Sequence, residues 1–139
     1  MDIVDIHLTI LILTAVAILA SDHYGIAYVR GTMPLLPKRR MELLHGLVWL
    51  GLLGMIGTGL YMVYPGLSFY IQKPAFVIKM VFVLVLVVNA LFIGTMLGIS
   101  SERPFAELTA GEKRKMFISG AVSSLGWIGA ATIGFLFLS

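Results

Sequence analysis

Cysteine is missing from all 139 residues, which at once excludes disulfides, thiolate metal sites, covalent haem attachment and cysteine nucleophiles. Charge is nearly as scarce. Asp, Glu, Lys and Arg make up 12% of the chain and hydrophobic residues 59%, where soluble domains carry roughly 25% charged and 45–50% apolar residues. A soluble fold of this size has too little interior to hide that apolar surface. There is also no glycine-rich phosphate loop, no metalloprotease motif, no Ser-His-acid constellation, no internal repeat, and no close Met-x-x-Met cluster among the eight methionines. The methionines therefore read as packing residues, with Met80 the one to consider as a copper ligand.

What the chain has instead is four long apolar stretches: Ile3 to Asp22, Leu43 to Val63, Ala75 to Ile99 and Met116 to Leu138. Each can cross a bilayer, for which about 20 apolar residues suffice. The connectors are too short for an extramembrane domain. The expected fold is an all-α polytopic integral membrane protein, one four-helix transmembrane bundle over 1–139 with helices at about 3–29, 41–63, 75–99 and 114–138.

The position of the charges gives an orientation. Arg30, Lys38, Arg39 and Arg40 lie between the first and second stretches, and Arg103, Lys113, Arg114 and Lys115 between the third and fourth. The remaining connector carries only Lys73, and the N-terminus carries acids. The positive-inside rule makes the basic loops cytoplasmic and both termini outward, N-out and C-out. The expected location is the inner (plasma) membrane, multi-pass, with the lipid bilayer as partner and the net charge of +3 directed at anionic head groups, with no nucleic acid. The first stretch opens on Asp2 and Asp5 and lacks the basic region of a cleavable signal, so it is expected to stay as the first helix.

Local signals refine the bundle. Helical character runs through Asp22-His23-Tyr24 to Arg30 and stops at Gly31, after which Pro34 and Pro37 impose a stiff turn. The second and fourth helices are dense in glycine, alanine and serine, which suggests close backbone approach and an oligomeric potential. Val77 to Val88 is bulky and branched, a lipid-facing or knob-supplying surface. Tyr64 to Tyr70 reads as an aromatic interfacial turn. Thr109-Ala110-Gly111-Glu112 is a capping box that starts the last helix.

Ionisable groups in lipid are costly, so the few present are functional candidates. His23 and His45 should sit at comparable depth on neighbouring antiparallel helices. Two such imidazoles can supply both axial ligands of a b-type haem, with Arg30, Arg39 or Arg40 meeting propionates and Asp22 and Glu42 fixing tautomers. The alternative is that both rings are interfacial side chains with wet tips. At about 100° per residue, Asp22 and His23 cannot both face the bundle centre. At the outer end Asp5, His7 and Lys79 come near one another. There Lys79 either snorkels to the interface, pairs with Asp5, or acts beside His7 on a substrate or cofactor. Asn89, deep in the third helix, is a candidate for a hydrogen bond across helices.

Several segments together carry a resemblance: Ile6-His7-Leu8, the basic stretch before Leu43-Leu44-His45, Gly57-Thr58-Gly59-Leu60, and Pro74-Ala75-Phe76-Val77-Ile78-Lys79-Met80. The chain resembles small bacterial four-helix membrane proteins related to the haem-associated protoporphyrinogen oxidase family, and more distantly a copper-resistance-type membrane core. The resemblance implies functional roles, as catalytic residues, for His7 and Lys79. The expectation is a haem b-binding inner-membrane redox protein, extending to an oxidoreductase, with His23 and His45 as metal ligands and Arg30 and Arg39 as further cofactor-binding residues. Two other classes stand beside it: a small transporter or channel subunit with Asp5, Lys79, Asp22 and Asn89 along a polar path, and a non-catalytic subunit of a larger membrane complex.

Overall fold

The computed structural model describes residues 1–137. Its helices are α1 (Ile3–Arg30), α2 (Lys38–Val63), the short α3 (Leu67–Tyr70), α4 (Pro74–Glu102) and α5 (Ala110–Phe137), with 3-10 turns at Tyr64–Gly66 and Phe105–Glu107. Among the described residues there is no strand. The chain is all-α, and α1, α2, α4 and α5 are each long and apolar enough to cross a membrane, the design of a multi-pass membrane protein. The expected end of the last helix at residue 138 lies outside the described residues.

The helix ends follow from local chemistry. The Asp2 side chain accepts from the Asp5 N–H at 2.9 Å and Asp5 accepts from the Asp2 N–H at 3.1 Å, a reciprocal cap on α1. At the other end Gly31 takes φ 77°, a left-handed conformation that glycine adopts without the Cβ penalty, and closes α1 on the Tyr28 carbonyl. Pro74 occupies the first turn of α4, where its missing N–H costs nothing. Thr109 and Glu112 form the capping box of α5, with bonds of 3.0 and 3.2 Å. The aromatic connector becomes a 3-10 turn and α3, and the Lys73 ammonium lies 4.3 Å from the Phe69 ring centre.

Large apolar side chains cover much of the outer surface, and a few polar ones lie inside. Leu50 is 69% exposed and Leu19 68%, whereas Thr14, Asn89, Ser100 and Ser119 are buried. That is the distribution expected of a chain whose outer solvent is hydrocarbon.

Packing is densest within two antiparallel pairs, α1 with α2 and α4 with α5, and sparser between α2 and α4. Small residues make each pair possible. A Cβ on Gly51 would overlap the Thr14 side chain, and one on Gly54 would come within 3.3 Å of Ile10. In the other pair Leu86 and Phe82 of α4 fill the space at Gly126 and Gly129 of α5, where added Cβ atoms would meet them at 2.8 and 2.9 Å. The branched surface of α4 thus supplies knobs, and α5 receives them.

The pairs are tied together at the end bearing the basic loops. Tyr28 of α1 donates its hydroxyl to the Arg103 carbonyl at 2.6 Å, and the Leu36 N–H donates to the Ser100 carbonyl at 2.9 Å. Tyr28, Leu36, Met41 and Leu108 form a buried cluster beneath these bonds. The Arg103 guanidinium pairs with the Glu112 carboxylate, and the hydrogen bonds it donates to Glu112 hold it above its ordinary pKa.

Gly51→Ala should lower the thermal unfolding midpoint in detergent by the equivalent of about 1–3 kcal/mol of overpacking. Gly57→Ala, where the added methyl meets nothing within 4 Å, should leave the midpoint unchanged or raised. Equal midpoints for the two variants would contradict the close α1–α2 contact.

Candidate functional site

The register of α1 against α2, with Thr14 opposite Gly51, also sets His7 against Thr58 near the end that carries the N-terminus. His7 Nδ1 lies 2.6 Å from the Thr58 hydroxyl. That hydroxyl is itself 2.7 Å from the Gly54 carbonyl, four residues back along α2. Thr58 has one proton to give. Given to Gly54, it leaves the Thr58 oxygen to accept from Nδ1–H, and the His7 Nε2 lone pair stays available as an acceptor or a metal ligand. Gly59 faces the same ring, and a Cβ there would lie 3.6 Å from its Cε1.

Lys79 enters this region from α4. It is half-buried, its ammonium lies where a Cβ on Gly134 of α5 would come within 2.8 Å, and it is close enough to His7 to act on it electrostatically. No ion pair or hydrogen bond engages Lys79 among the described residues. Asp5 is exposed and occupied by the α1 cap, so the pairing considered between Asp5 and Lys79 is not formed. Two contacts thus lie toward this end, His7 against Thr58 between α1 and α2 and Lys79 beside Gly134 between α4 and α5: an imidazole held at one nitrogen, and a cation without an acid partner among the described residues beside a glycine that leaves room for it.

The cluster expected at the opposite end is arranged differently. His23 is exposed, with the Tyr24 ring as its aromatic neighbour at 6.2 Å. His45 is half-buried and points at α4, where a Cβ on Gly94 would lie 3.2 Å from its Nε2. The two imidazoles are about one helical turn apart in depth, and no hydrogen bond or ring contact joins them among the described residues. His45 Nε2 also accepts the Trp49 indole N–H at 3.1 Å, which commits its lone pair because indole nitrogen can only donate. Arg30 and Arg39 are exposed at the basic end. Arg40 donates to the Tyr24 hydroxyl at 2.7 Å and lies over that ring. Asp22 is partly buried, and Glu42 is exposed.

Two cavities flank α4. The larger, about 270 Å³ on the α4–α5 surface, is lined by apolar side chains such as Ile78, Phe82 and Leu125 and carries no chemistry. The smaller, about 30 Å³, lies beside His45 and Asn89. Asn89 is 8% exposed and donates its side-chain N–H to the Ser119 carbonyl of α5 at 2.9 Å, the cross-helix bond that its depth suggested.

The fold and these sites define a multi-pass membrane protein of four spanning helices with an interior polar locus at one end. No protein-family model matches the chain, and no curated protein or solved structure matches it.

Thr58→Ala should release His7 Nδ1. Nitrogen NMR of the imidazole in bilayers should then show mixed tautomers in place of one, with Thr58→Ser keeping the single form. The lost bond should cost about 1 kcal/mol of stability. An unchanged spectrum in Thr58→Ala would show that Thr58 does not orient the ring.

Proposed function

We propose that the protein is a membrane redox protein that binds haem b and works at the N-terminal end of the bundle through His7 and Lys79. One observation supports this reading above others. His7 and Lys79, the two positions singled out by the resemblance to the protoporphyrinogen oxidase family, lie within electrostatic reach of one another, though on different helices and far apart in sequence.

The donor set there suits the group. His7 offers Nε2 while Thr58 holds Nδ1, the arrangement that orients metal-ligating imidazoles. Lys79 offers a cation to a propionate carboxylate. Haem, when bound, supplies one-electron chemistry whose potential depends on axial ligand and surroundings. His7 fixes position, Lys79 neutralises and orients a carboxylate, and the apolar helix surfaces around them keep water out. The expected pairing of His23 with His45, and the propionate roles of Arg30 and Arg39, have less support: no contact joins the two imidazoles among the described residues, and His45 Nε2 is engaged by Trp49. With the basic loops cytoplasmic, the His7 end faces outward from the plasma membrane.

A second reading, a small transporter or channel subunit acting as an oligomer, is favoured by the succession of polar groups along the α2–α4–α5 seam. His7 and Lys79 are followed by Asn89 with Ser123, and then by His45, which lies about 20 Å from the level of Thr58 along α2. Liposome flux that disappears in Lys79→Ala, from protein without a chromophore, would favour it.

Purified protein supplemented with haem should show a Soret band that His7→Ala abolishes. Thr58→Ala should weaken haem affinity about tenfold, and His23→Ala should leave it unchanged. A missing band, or one indifferent to His7→Ala, overturns the haem reading.

A further inference from the structure

We infer that the seam between α2, α4 and α5 binds a single ordered water molecule, held by His45, Asn89 and Ser123 in the apolar depth of the bundle. The cavity there measures about 30 Å³, close to one water's share of the liquid. His45, Asn89, Ser123 and Trp127 bring polar side chains to its wall, and Leu52 and Leu86 are among the apolar residues that close it. A buried water needs two to four polar partners, and these residues can provide them from three helices.

The accounting of donors and acceptors points the same way. Asn89 spends one N–H on the Ser119 carbonyl, and its side-chain oxygen has no protein partner. No side-chain nitrogen or oxygen among the described residues is both enclosed and unpartnered, so this oxygen touches open space. For a residue 8% exposed that lines the cavity, the open space is the cavity. His45 accepts from Trp49 at Nε2, so as a neutral ring it carries its proton at Nδ1 and has one N–H to donate. The Ser123 hydroxyl makes no hydrogen bond to the described residues either. An amide oxygen, an imidazole N–H and a hydroxyl left unpaired in a low-dielectric interior are costly, and one water bridging them removes that cost. It also links α2 to the α4–α5 pair, where direct packing is sparser than within either hairpin.

Water-edited solid-state NMR of the full chain in lipid bilayers tests this. Magnetisation from water should reach the Asn89 side-chain amide and the His45 ring nitrogen at mixing times when the methyls of Leu52 and Leu86 stay dark. Ser123→Leu, which fills the cavity, should abolish both signals and leave the water signal of the Arg103 backbone intact. Absence of water signal at Asn89 in the unaltered protein overturns the proposal by itself, whatever the fate of the variant. Persistence of that signal in a folded Ser123→Leu overturns it as well.

Discussion

In hydrocarbon, two apolar helices gain nothing by leaving lipid for each other, so the contacts that assemble this chain have to be polar or close enough for dispersion to count. Both kinds are present, and they divide the labour. Within each hairpin, small residues let backbones approach: Gly51 against Thr14 in one, Gly126 and Gly129 under Leu86 and Phe82 in the other. Between hairpins, hydrogen bonds from Tyr28 to the Arg103 carbonyl and from the Leu36 N–H to the Ser100 carbonyl at the basic end join apolar packing of Leu52 against Leu86 and Ala90.

The same constraint explains how the few polar side chains of the interior are accommodated. Thr14, Ser100 and Ser119 spend their hydroxyls on carbonyls of their own helices, so each is buried without an orphaned group. His7 and Lys79 stand apart from this pattern. His7 keeps a nitrogen beyond the one Thr58 engages, and Lys79 keeps a charge with no carboxylate beside it among the described residues. At that end the His7 Nε2 lone pair and the Lys79 ammonium are left for further interactions.

Much of the architecture was legible because hydrophobic length and capping chemistry are local properties. The four spans follow from composition, and Thr109 to Glu112 forms its capping box as the pattern requires. The helices nevertheless run past the apolar stretches, since Lys38 to Arg40 and Ser100 to Glu102 continue helical turns beyond them. Asp5 was read as a partner for Lys79, and the structure instead uses it in a reciprocal cap with Asp2. Side-chain facing was far less legible. His23 and His45 share a depth that register alone predicts, but their rotation about each helix axis depends on which neighbours pack, and that depends on glycine contacts scattered across all four helices. Thr58 escaped notice because a lone threonine between glycines carries no signal until α1 is laid beside α2. Trp49, four residues after His45 on the same helix face, was the one partner that spacing could have revealed.

The account rests on a bundle of two hairpins joined across the α2–α4 seam, and the direct test is a through-space NMR correlation in lipid bilayers between the His45 ring and the Gly94 Cα. The account predicts that this correlation appears together with one between His7 and Thr58. Seeing the His7–Thr58 contact without the His45–Gly94 contact would mean that the hairpins form but do not meet as described, and the seam and its polar residues would need a different arrangement.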